Sequence, residues 1–125
     1  MGQSQPFPAT ALIVEDDRMQ REMLSLLLEE SGYRVIECTN AEDAQRVLDD
    51  DATRLCFLMT DVELAGDMNG VELARIAKER NPRLDVVVTS GSPLPQPLPD
   101  GAKFWAKPWA PLDVLREAEF AQLPS

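Results

Sequence analysis

The sequence predicts one α/β domain built on a doubly wound, parallel five-stranded sheet. Short apolar runs alternate along the chain with segments whose apolar residues recur at helical spacing, a pattern typical of parallel sheets. The run from Arg54 to Thr60 is almost continuously apolar, as expected of a strand that helices cover on both faces. With 125 residues, 44% of them hydrophobic, the chain can bury one core without disulfides or structural metals.

The first half of the chain predicts three strands and two helices. Strands are expected at residues 11–14, 33–38 and 54–60. The first helix should cover residues 18–31, where apolar residues recur at helical spacing before Gly32. Asn40 can cap the second helix, which ends in a run of three aspartates.

The second half predicts a third helix, two strands and a last helix. Asn69-Gly70 opens the third helix, which closes before Pro82. Strands are expected at residues 84–89 and 104–106. Pro111 then begins a helix that extends through Phe120.

One segment breaks the alternation of strands and helices. Between the fourth and fifth strands, where a helix is due, residues 92–99 read Ser-Pro-Leu-Pro-Gln-Pro-Leu-Pro. Alternate prolines forbid α-helical hydrogen bonding. We therefore predict that the fourth helix is shortened or absent and that an extended, polyproline-like loop replaces it.

The chain divides into a flexible amino-terminal arm at residues 1–10, one domain at 11–122 and a short tail at 123–125. Cys38 and Cys56 each lie inside a predicted strand and are interpreted as core residues in a reducing compartment. A cytoplasmic location is expected, because no apolar stretch approaches the roughly 20 residues of a membrane span and no signal-peptide pattern begins the chain.

Composition excludes several classes of function. The net charge is −10, from 12 basic and 22 acidic residues without a basic stripe, which argues against nucleic-acid binding. The chain has no histidine, which excludes Ser-His-Asp and Cys-His catalysis, histidine metal ligands and a phosphohistidine on this chain. The acidic excess is interpreted as a soluble surface, although it would also match a basic partner.

Three charged signals each stand where an apolar run stops: Glu15-Asp16, Asp61 and Lys107-Pro108. If these runs are parallel strands, all three signals lie at the carboxyl edge of one sheet, where doubly wound sheets bind ligands. Crowded carboxylates are costly to ionise without a cation, and Mg²⁺ prefers oxygen ligands. A lysine ammonium pairs with phosphoryl oxygens, so the pattern predicts a site for magnesium and a phosphoryl group.

Four motifs in order resemble the receiver domain of two-component response regulators, over about residues 10–122. They are the opening Val14-Glu15-Asp16-Asp17 with Arg21, the loop from Thr60-Asp61-Val62-Glu63-Leu64 to Met68-Asn69-Gly70-Val71-Glu72-Leu73, the strand Val86-Val87-Val88-Thr89-Ser90-Gly91 and the end Lys107-Pro108-Trp109. Each motif alone is weakly specific, whereas four in order are strongly specific. The resemblance implies a flavodoxin-like strand order, 2-1-3-4-5, and a phosphoacceptor signalling domain that is not an enzyme.

The resemblance implies a role for each acidic position. Asp61 would be the phosphoacceptor, taking a phosphoryl group from a phosphohistidine of a histidine kinase or histidine phosphotransfer protein. Asp16 and Asp61 would ligate Mg²⁺ together with the backbone carbonyl of Glu63. Glu15 would act on the metal through water.

The remaining implied roles belong to the fourth and fifth strands. Lys107 would pair with the phosphoryl group and the Ser90 hydroxyl would hydrogen-bond it, while the Lys107-Pro108 peptide bond is a candidate for the cis form. Thr89 also carries a hydroxyl, but Ser90 is preferred because the small Gly91 follows it, as in the family. Ser90 and Phe104 would form the switch that alters contacts with a downstream protein target, and a homodimer is left open.

Three other interpretations compete with a phosphorylated receiver. A pseudo-receiver that is never phosphorylated would act only as a binding module. An EF-hand loop counted from Asp61 fits in part, but Ala65 stands at its fifth position and a strand-like run precedes it. An aspartyl-phosphate phosphatase would carry a second Asp where Glu63 stands.

Two departures from the family pattern lead to hypotheses. Glu63 and Ser92 occupy positions that tune hydrolysis in the family, so Glu63 should affect the lifetime of the aspartyl phosphate. The proline-containing segment replaces a helix that normally meets partners. We therefore hypothesise that phosphorylation acts through Ser90 and Phe104 on residues 91–103.

Overall fold

The computed structural model describes residues 9–123. Its strands are β1 (Thr10–Val14), β2 (Arg34–Cys38), β3 (Leu55–Asp61), β4 (Asp85–Ser90) and β5 (Lys103–Ala106). Its helices are α1 (Arg18–Glu30), α2 (Ala41–Asp51), α3 (Gly70–Arg80) and α4 (Pro111–Ala121), with a 3-10 turn at Ala52–Arg54. Residues 1–8 of the predicted arm and 124–125 of the predicted tail lie outside the described residues, while Thr10 belongs to β1.

All five strands are parallel and lie in the order β2-β1-β3-β4-β5. The predicted fold class, a doubly wound sheet with flavodoxin-like order, is confirmed. Val14 lies opposite Thr60 and Asp61 opposite Thr89, so the carboxyl ends of the central strands meet at one edge. The strand order reverses between β1 and β3, where sheets of this kind bind their ligands.

Strand β3 lies at the centre of the sheet and contributes to two cores. Leu58 packs in the core beneath α2 and α3, whereas Phe57 and Met59 pack beneath α1 and α4. All three side chains are almost fully buried, and each burial contributes roughly 1.5–3 kcal/mol to folding. The continuous apolar run of β3 therefore reflects helices on both faces, and it holds Asp61 at the end of a rigid strand.

The two cysteines are free thiols. Cys38 is buried at the end of β2, and Cys56 is half-buried in β3. Burial raises the pKa of the Cys38 thiol, with a smaller contribution from the charge of Asp43. Cys38 is therefore mainly protonated at neutral pH and packs as a small apolar residue.

The Pro-rich loop, residues 91–102, contains no helix. Leu94, Leu98 and Ala102 are half-buried against the core that α2 and α3 cover. Arg75 on α3 donates a 3.3 Å hydrogen bond to the Pro97 carbonyl. The predicted absence of the fourth helix is confirmed, and the half-buried Leu94 and Leu98 cover part of this face of the sheet, while a polyproline-like conformation of the loop stays a prediction.

Candidate functional site

Strand ends bring the predicted charged residues together. Asp61 is the last residue of β3, Glu15 and Asp16 directly follow β1, and Lys107 directly follows β5. We call these four residues the carboxyl-edge cluster. One carboxylate oxygen from each of Glu15, Asp16 and Asp61 lies within 4.8 Å of the others. The sequence argument from parallel strands therefore places these acids correctly.

The lysine of the carboxyl-edge cluster bridges two of its acids. Lys107 Nζ lies 3.1 Å from Asp61 Oδ2 and 3.6 Å from Glu15 Oε1. Burial lowers the pKa of Lys107, but the hydrogen bond to Asp61 and the charge of Glu15 outweigh it, so that the pKa is raised. Lys107 therefore stays protonated at neutral pH and can offset negative charge at Asp61.

Glu15 differs from Asp16 in its surroundings. Glu15 is 4% exposed, whereas Asp16 is exposed to solvent. Burial raises the pKa of Glu15, although the hydrogen bond from the Asp17 amide and the charge of Lys107 act in the opposite direction. A cation at the site would favour the ionised form of Glu15.

The donor set of this cluster fits a magnesium ion. Asp61 Oδ1 is buried and has no hydrogen-bond partner within residues 9–123. A buried carboxylate oxygen without a partner is costly, and a hard cation would remove that cost. Mg²⁺ takes oxygen ligands and is usually held by one or two carboxylates, as this cluster offers. Glu63 is exposed, and the predicted role of its carbonyl stays a prediction.

Ser90, the predicted switch hydroxyl, ends β4. Its side chain is 1% exposed, its Oγ accepts a hydrogen bond from the Ser92 amide at 3.0 Å, and its carbonyl accepts one from the Lys107 amide. Thr89, the other candidate, lies in register with Asp61 and is also buried. Ser90 is therefore tied through its backbone to the residue that carries the ammonium.

Phe104, the predicted switch aromatic, lies on β5 in register with Val88. Val88 belongs to the core beneath α2 and α3, so Phe104 lies on the face of the sheet that carries the Pro-rich loop. Its side chain is 36% exposed, whereas the adjacent Trp105 packs into the opposite core. The Lys107-Pro108 peptide bond is cis.

Sequence reasoning assigned no role to Arg21, which supports the acidic loop. Its guanidinium donates to the carbonyls of Glu15 at 2.9 Å and Asp16 at 3.4 Å, and it pairs with Glu37 on β2. Arg21 belongs to the opening motif of the chain, but its partner Glu37 lies on β2, 16 positions further along, and the local sequence does not indicate this contact. The three contacts fix the backbone from which both acids project.

Gly70 supports the phosphoacceptor loop, which we define as residues 62–69. A Cβ atom at Gly70 would lie 1.9 Å from the Asp61 carbonyl oxygen, so the backbone of α3 approaches more closely than a side chain would allow. The Gly70 amide also donates to the Val62 carbonyl at 2.9 Å. The Asn-Gly pair in the sequence signalled a helix start, but it gave no sign of this close approach.

Glu42 supports the same loop from α2. Its carboxylate accepts hydrogen bonds from the amides of Asp67 at 3.2 Å and Met68 at 3.3 Å. Asn40 and Ala65 form an isolated parallel bridge beside these contacts. These contacts anchor the phosphoacceptor loop to the start of α2, and nothing in the local sequence indicated them.

Comparisons with known proteins agree with this geometry. The family model of the response regulator receiver domain matches residues 11–97. The response regulator receiver protein CpdR of Brucella abortus is 34% identical over 113 residues, which cover 86% of this chain and 92% of that protein. A cyclic di-GMP phosphodiesterase of Thermotoga maritima is 38% identical over 81 residues, 65% of this chain but 21% of that longer protein.

A solved structure shares the fold. The response regulator receiver protein from Sinorhizobium medicae aligns over 90% of this chain and 93% of its own, with a TM-score of 0.81 and 20% identity. The family model and CpdR together show that this chain belongs to the response regulator receiver family, the signalling domains of two-component systems. The matched range ends inside the Pro-rich loop, so Phe104 and Lys107 lie beyond it.

No helix within residues 9–123 is long and apolar enough to cross a membrane. The residues before Asp61 form a strand, Leu55–Asp61, where an EF-hand would require its entering helix. The acids that cluster with Asp61 come from the end of β1 rather than from the following loop. The EF-hand interpretation therefore does not fit the site.

Proposed function

We propose that this receiver domain accepts a phosphoryl group onto Asp61 from a phosphohistidine of a histidine kinase or histidine phosphotransfer protein. The observation that carries this proposal is the position of Asp61, between a protonated lysine 3.1 Å away and two further carboxylates. Receiver-family membership supports the same chemistry. The proposal concerns the domain itself, whatever larger protein contains it.

In the proposed reaction a carboxylate oxygen of Asp61 attacks the phosphorus of phosphohistidine. The new P–O bond forms as the P–N bond breaks, and the electron pair of that bond leaves with the imidazole nitrogen, which takes up a proton. Lys107 neutralises charge on the phosphoryl oxygens and needs no large movement to do so. Positioning and charge neutralisation supply most of the catalysis in phosphoryl transfer.

Asp16 and Asp61 would hold Mg²⁺, with Glu15 acting through water and the Glu63 carbonyl as a further ligand. When bound, the ion would supply positive charge beside the transferred group. Glu15 is held in place by the Asp17 amide, and Arg21 fixes the backbone of both β1 acids. Because Glu15 has a raised pKa, metal binding should be weaker at lower pH.

We propose that the phosphorylated state is reported through Ser90 and Phe104. The Ser90 hydroxyl would leave its contact with the Ser92 amide to bond the phosphoryl group, and Phe104 would turn into the space beneath the Pro-rich loop. The altered face, comprising β5 and the Pro-rich loop, would then bind a downstream protein. The acidic charge of the chain favours a basic surface on that partner.

The phosphoacceptor claim is tested by incubating the protein with Mg²⁺ and acetyl phosphate and measuring its intact mass. We expect the addition of one phosphoryl group, which Asp61→Asn should abolish and Asp50→Asn, on the exposed surface of α2, should retain. No addition to the wild type, or an addition that survives Asp61→Asn, would reject the proposal and favour a pseudo-receiver.

The switch claim needs a separate measurement. Amide NMR shifts of the Pro-rich loop should change on addition of Mg²⁺ and beryllofluoride, an analogue of the phosphoryl group. Ser90→Ala should bind both but reduce the change in the loop. Identical loop spectra with and without beryllofluoride would remove this route while leaving phosphorylation itself intact.

A further inference from the structure

The Pro-rich loop makes a side-chain contact with the start of α3. Asn69 Nδ2 donates a 3.1 Å hydrogen bond to Gln96 Oε1, at the middle of the proline repeat. Almost two turns further along the helix, Arg75 donates a hydrogen bond to the Pro97 carbonyl. The loop that replaces a helix is thus attached to α3 by two polar contacts, of which the first reaches the residue that caps it.

The Asn69 side chain has two functions at once. Its Oδ1 accepts hydrogen bonds from the Val71 and Glu72 amides at 2.9 Å, and Glu72 in turn accepts from the Asn69 amide. This reciprocal arrangement is a capping box, which fixes the side chain at the helix start. The side-chain oxygen of Asn69 therefore caps α3, while its side-chain nitrogen donates the hydrogen bond to Gln96.

The first turn of α3 is in direct contact with the phosphoacceptor. Gly70 has no room for a Cβ beside the Asp61 carbonyl, and its amide holds the Val62 carbonyl. A displacement of the loop after Asp61 therefore has to move the start of α3 as well, because packed backbone atoms leave no gap to absorb it.

The phosphoacceptor loop is held on its other side by a rigid element. Glu42, which accepts from the Asp67 and Met68 amides, lies in the first turn of α2. Gln96, in contrast, lies in a segment without regular secondary structure. Of the two anchors, Gln96 is the one that no regular secondary structure holds.

We propose that Gln96 is a positioning residue for the phosphorylation site, because it couples the Pro-rich loop to the phosphoacceptor loop through Asn69. This inference rests on the proposed function and adds a second route to the one through Ser90. Such coupling is reciprocal. If a phosphoryl group or beryllofluoride at Asp61 changes the equilibrium constant of the Asn69–Gln96 hydrogen bond, then that bond changes the affinity of Asp61 for the group by the same factor.

The test uses two variants that break the bond from opposite ends. Gln96→Ala removes the acceptor, and Asn69→Ser removes the donor while keeping a good helix cap. The hydrogen bond is already formed without a ligand, so its loss changes the affinity only as far as the bond differs between the free and the bound state. We expect both variants to change the affinity for beryllofluoride in the presence of Mg²⁺ in the same direction and by the same factor, of up to about three- to tenfold. The double variant should show the change of one single variant, because both substitutions remove the same contact.

A matched control is Gln45→Ala, which shortens a half-buried glutamine on α2 and should leave the affinity unchanged. Wild-type affinity in Gln96→Ala, or single effects that multiply in the double variant, would overturn the inference. Failure of the wild type to bind beryllofluoride would instead count against the proposed function.

A second measurement does not depend on ligand binding. In the free protein, Asn69→Ser should accelerate amide hydrogen exchange at Leu94, Gln96 and Leu98, and Gln96→Ala should accelerate it at Asp67 and Met68. Thermal unfolding of each variant shows whether it remains folded. If the folded Asn69→Ser variant keeps wild-type exchange in the Pro-rich loop, and the folded Gln96→Ala variant keeps it in the phosphoacceptor loop, the two loops are not coupled.

Discussion

The two ends of strand β5 carry lysines that face similar partners in different surroundings. Lys107, just beyond the carboxyl end, faces the acids of the carboxyl-edge cluster. Lys103, the first residue of the strand, forms a hydrogen bond with Glu117 and lies 3.6 Å from Asp85 Oδ1. We call Asp85, Lys103 and Glu117 the amino-edge cluster.

The two clusters share a feature that is easily taken for a metal site. In each, one buried aspartate oxygen has no hydrogen-bond partner among the residues that the structure describes. At the carboxyl edge a third acid, Asp16, lies beside the pair and is open to solvent. At the amino edge, Glu117 comes from α4, and the Phe120 ring of the same helix lies 4.3 Å from Lys103 Nζ. A third oxygen donor and an open edge, rather than the unpaired oxygen, therefore distinguish the candidate metal site.

Protonation of Asp85 relieves the repulsion between the Asp85 and Glu117 carboxylates of the amino-edge cluster. Burial and the neighbouring Glu117 carboxylate raise the pKa of Asp85 to about 7, and Lys103 acts in the opposite direction. The pKa of Glu117 is lowered: burial raises it, but hydrogen bonds with Asp85 and Lys103 outweigh that effect. At the amino edge a lysine between two carboxylates attaches α4 to the sheet, and Asp85 carries a raised pKa. At the carboxyl edge Lys107 lies between Asp61 and Glu15, and Asp16 is open to solvent.

The largest expected effect is the difference in phosphorylation rate between variants of Lys107 and of Lys103. Lys107→Ala should lower the rate of phosphorylation by acetyl phosphate about 100-fold or more, because a charged group beside the transferred phosphoryl is lost. Lys103→Ala should reduce thermal stability but leave this rate within about threefold. Equal losses of rate in both variants would mean that the amino-edge cluster also acts in phosphoryl transfer.

The second-largest expected effect is the dependence of the free energy of unfolding on pH that Asp85 causes. Its pKa of about 7 in the folded protein lies above its ordinary value of 3.8, so the folded state keeps a proton that the unfolded chain releases. The free energy of unfolding therefore falls as the pH rises through this window. Asp85→Asn should gain stability relative to the wild type by on the order of 2 kcal/mol between pH 5 and pH 8.

Urea unfolding at several pH values measures this difference. A smaller slope should persist in Asp85→Asn, because Glu15 also has a raised pKa and contributes with the same sign. Stability curves of variant and wild type that run parallel from pH 5 to pH 8 would contradict the assigned protonation of Asp85.

A smaller effect is expected for metal binding. Asp16→Asn should weaken Mg²⁺ binding about tenfold or more, whereas Asp85→Asn should not change it. The wild-type affinity should also fall as the pH is lowered, because Glu15 takes up a proton. Titration calorimetry with MgCl₂ measures both, and equal affinities for Asp16→Asn and the wild type would exclude Asp16 as a ligand.

The smallest effect tests the aromatic contact at the amino edge. Phe120→Leu removes the ring beside Lys103 and should lower the free energy of unfolding by about 0.5–1 kcal/mol without altering phosphorylation. Leu112→Ala, at another exposed position of α4, should cost less. If both substitutions cost the same, the cation–π contact would contribute nothing measurable.

The acids and lysine of the carboxyl edge could be predicted from the sequence because each follows an apolar run directly. Parallel strands with one common edge convert that one-dimensional pattern into a three-dimensional cluster. The missing helix was predictable for an equally local reason, since alternate prolines remove the amide donors that a helix needs. Neither conclusion required knowledge of how the helices pack.

The amino-edge cluster and the supporting contacts could not be predicted in this way. Lys103 meets Glu117 only because α4 packs against α1 and β3 at a particular depth, and no local pattern encodes that depth. Gln96 lies 27 positions from Asn69, in a segment without helical or strand periodicity. Such contacts depend on tertiary packing, which periodicity does not specify.

The prolines of the Pro-rich loop also affect how this molecule meets others of its kind. Positions 93, 95, 97 and 99 carry no N–H group. In an extended strand alternate residues point their N–H groups to the same edge, so one edge of this segment would have no amide donor at all. That edge cannot pair as an added strand, either with β5 or with an edge in another molecule, and the alternating prolines therefore protect one side of the segment from β-sheet association.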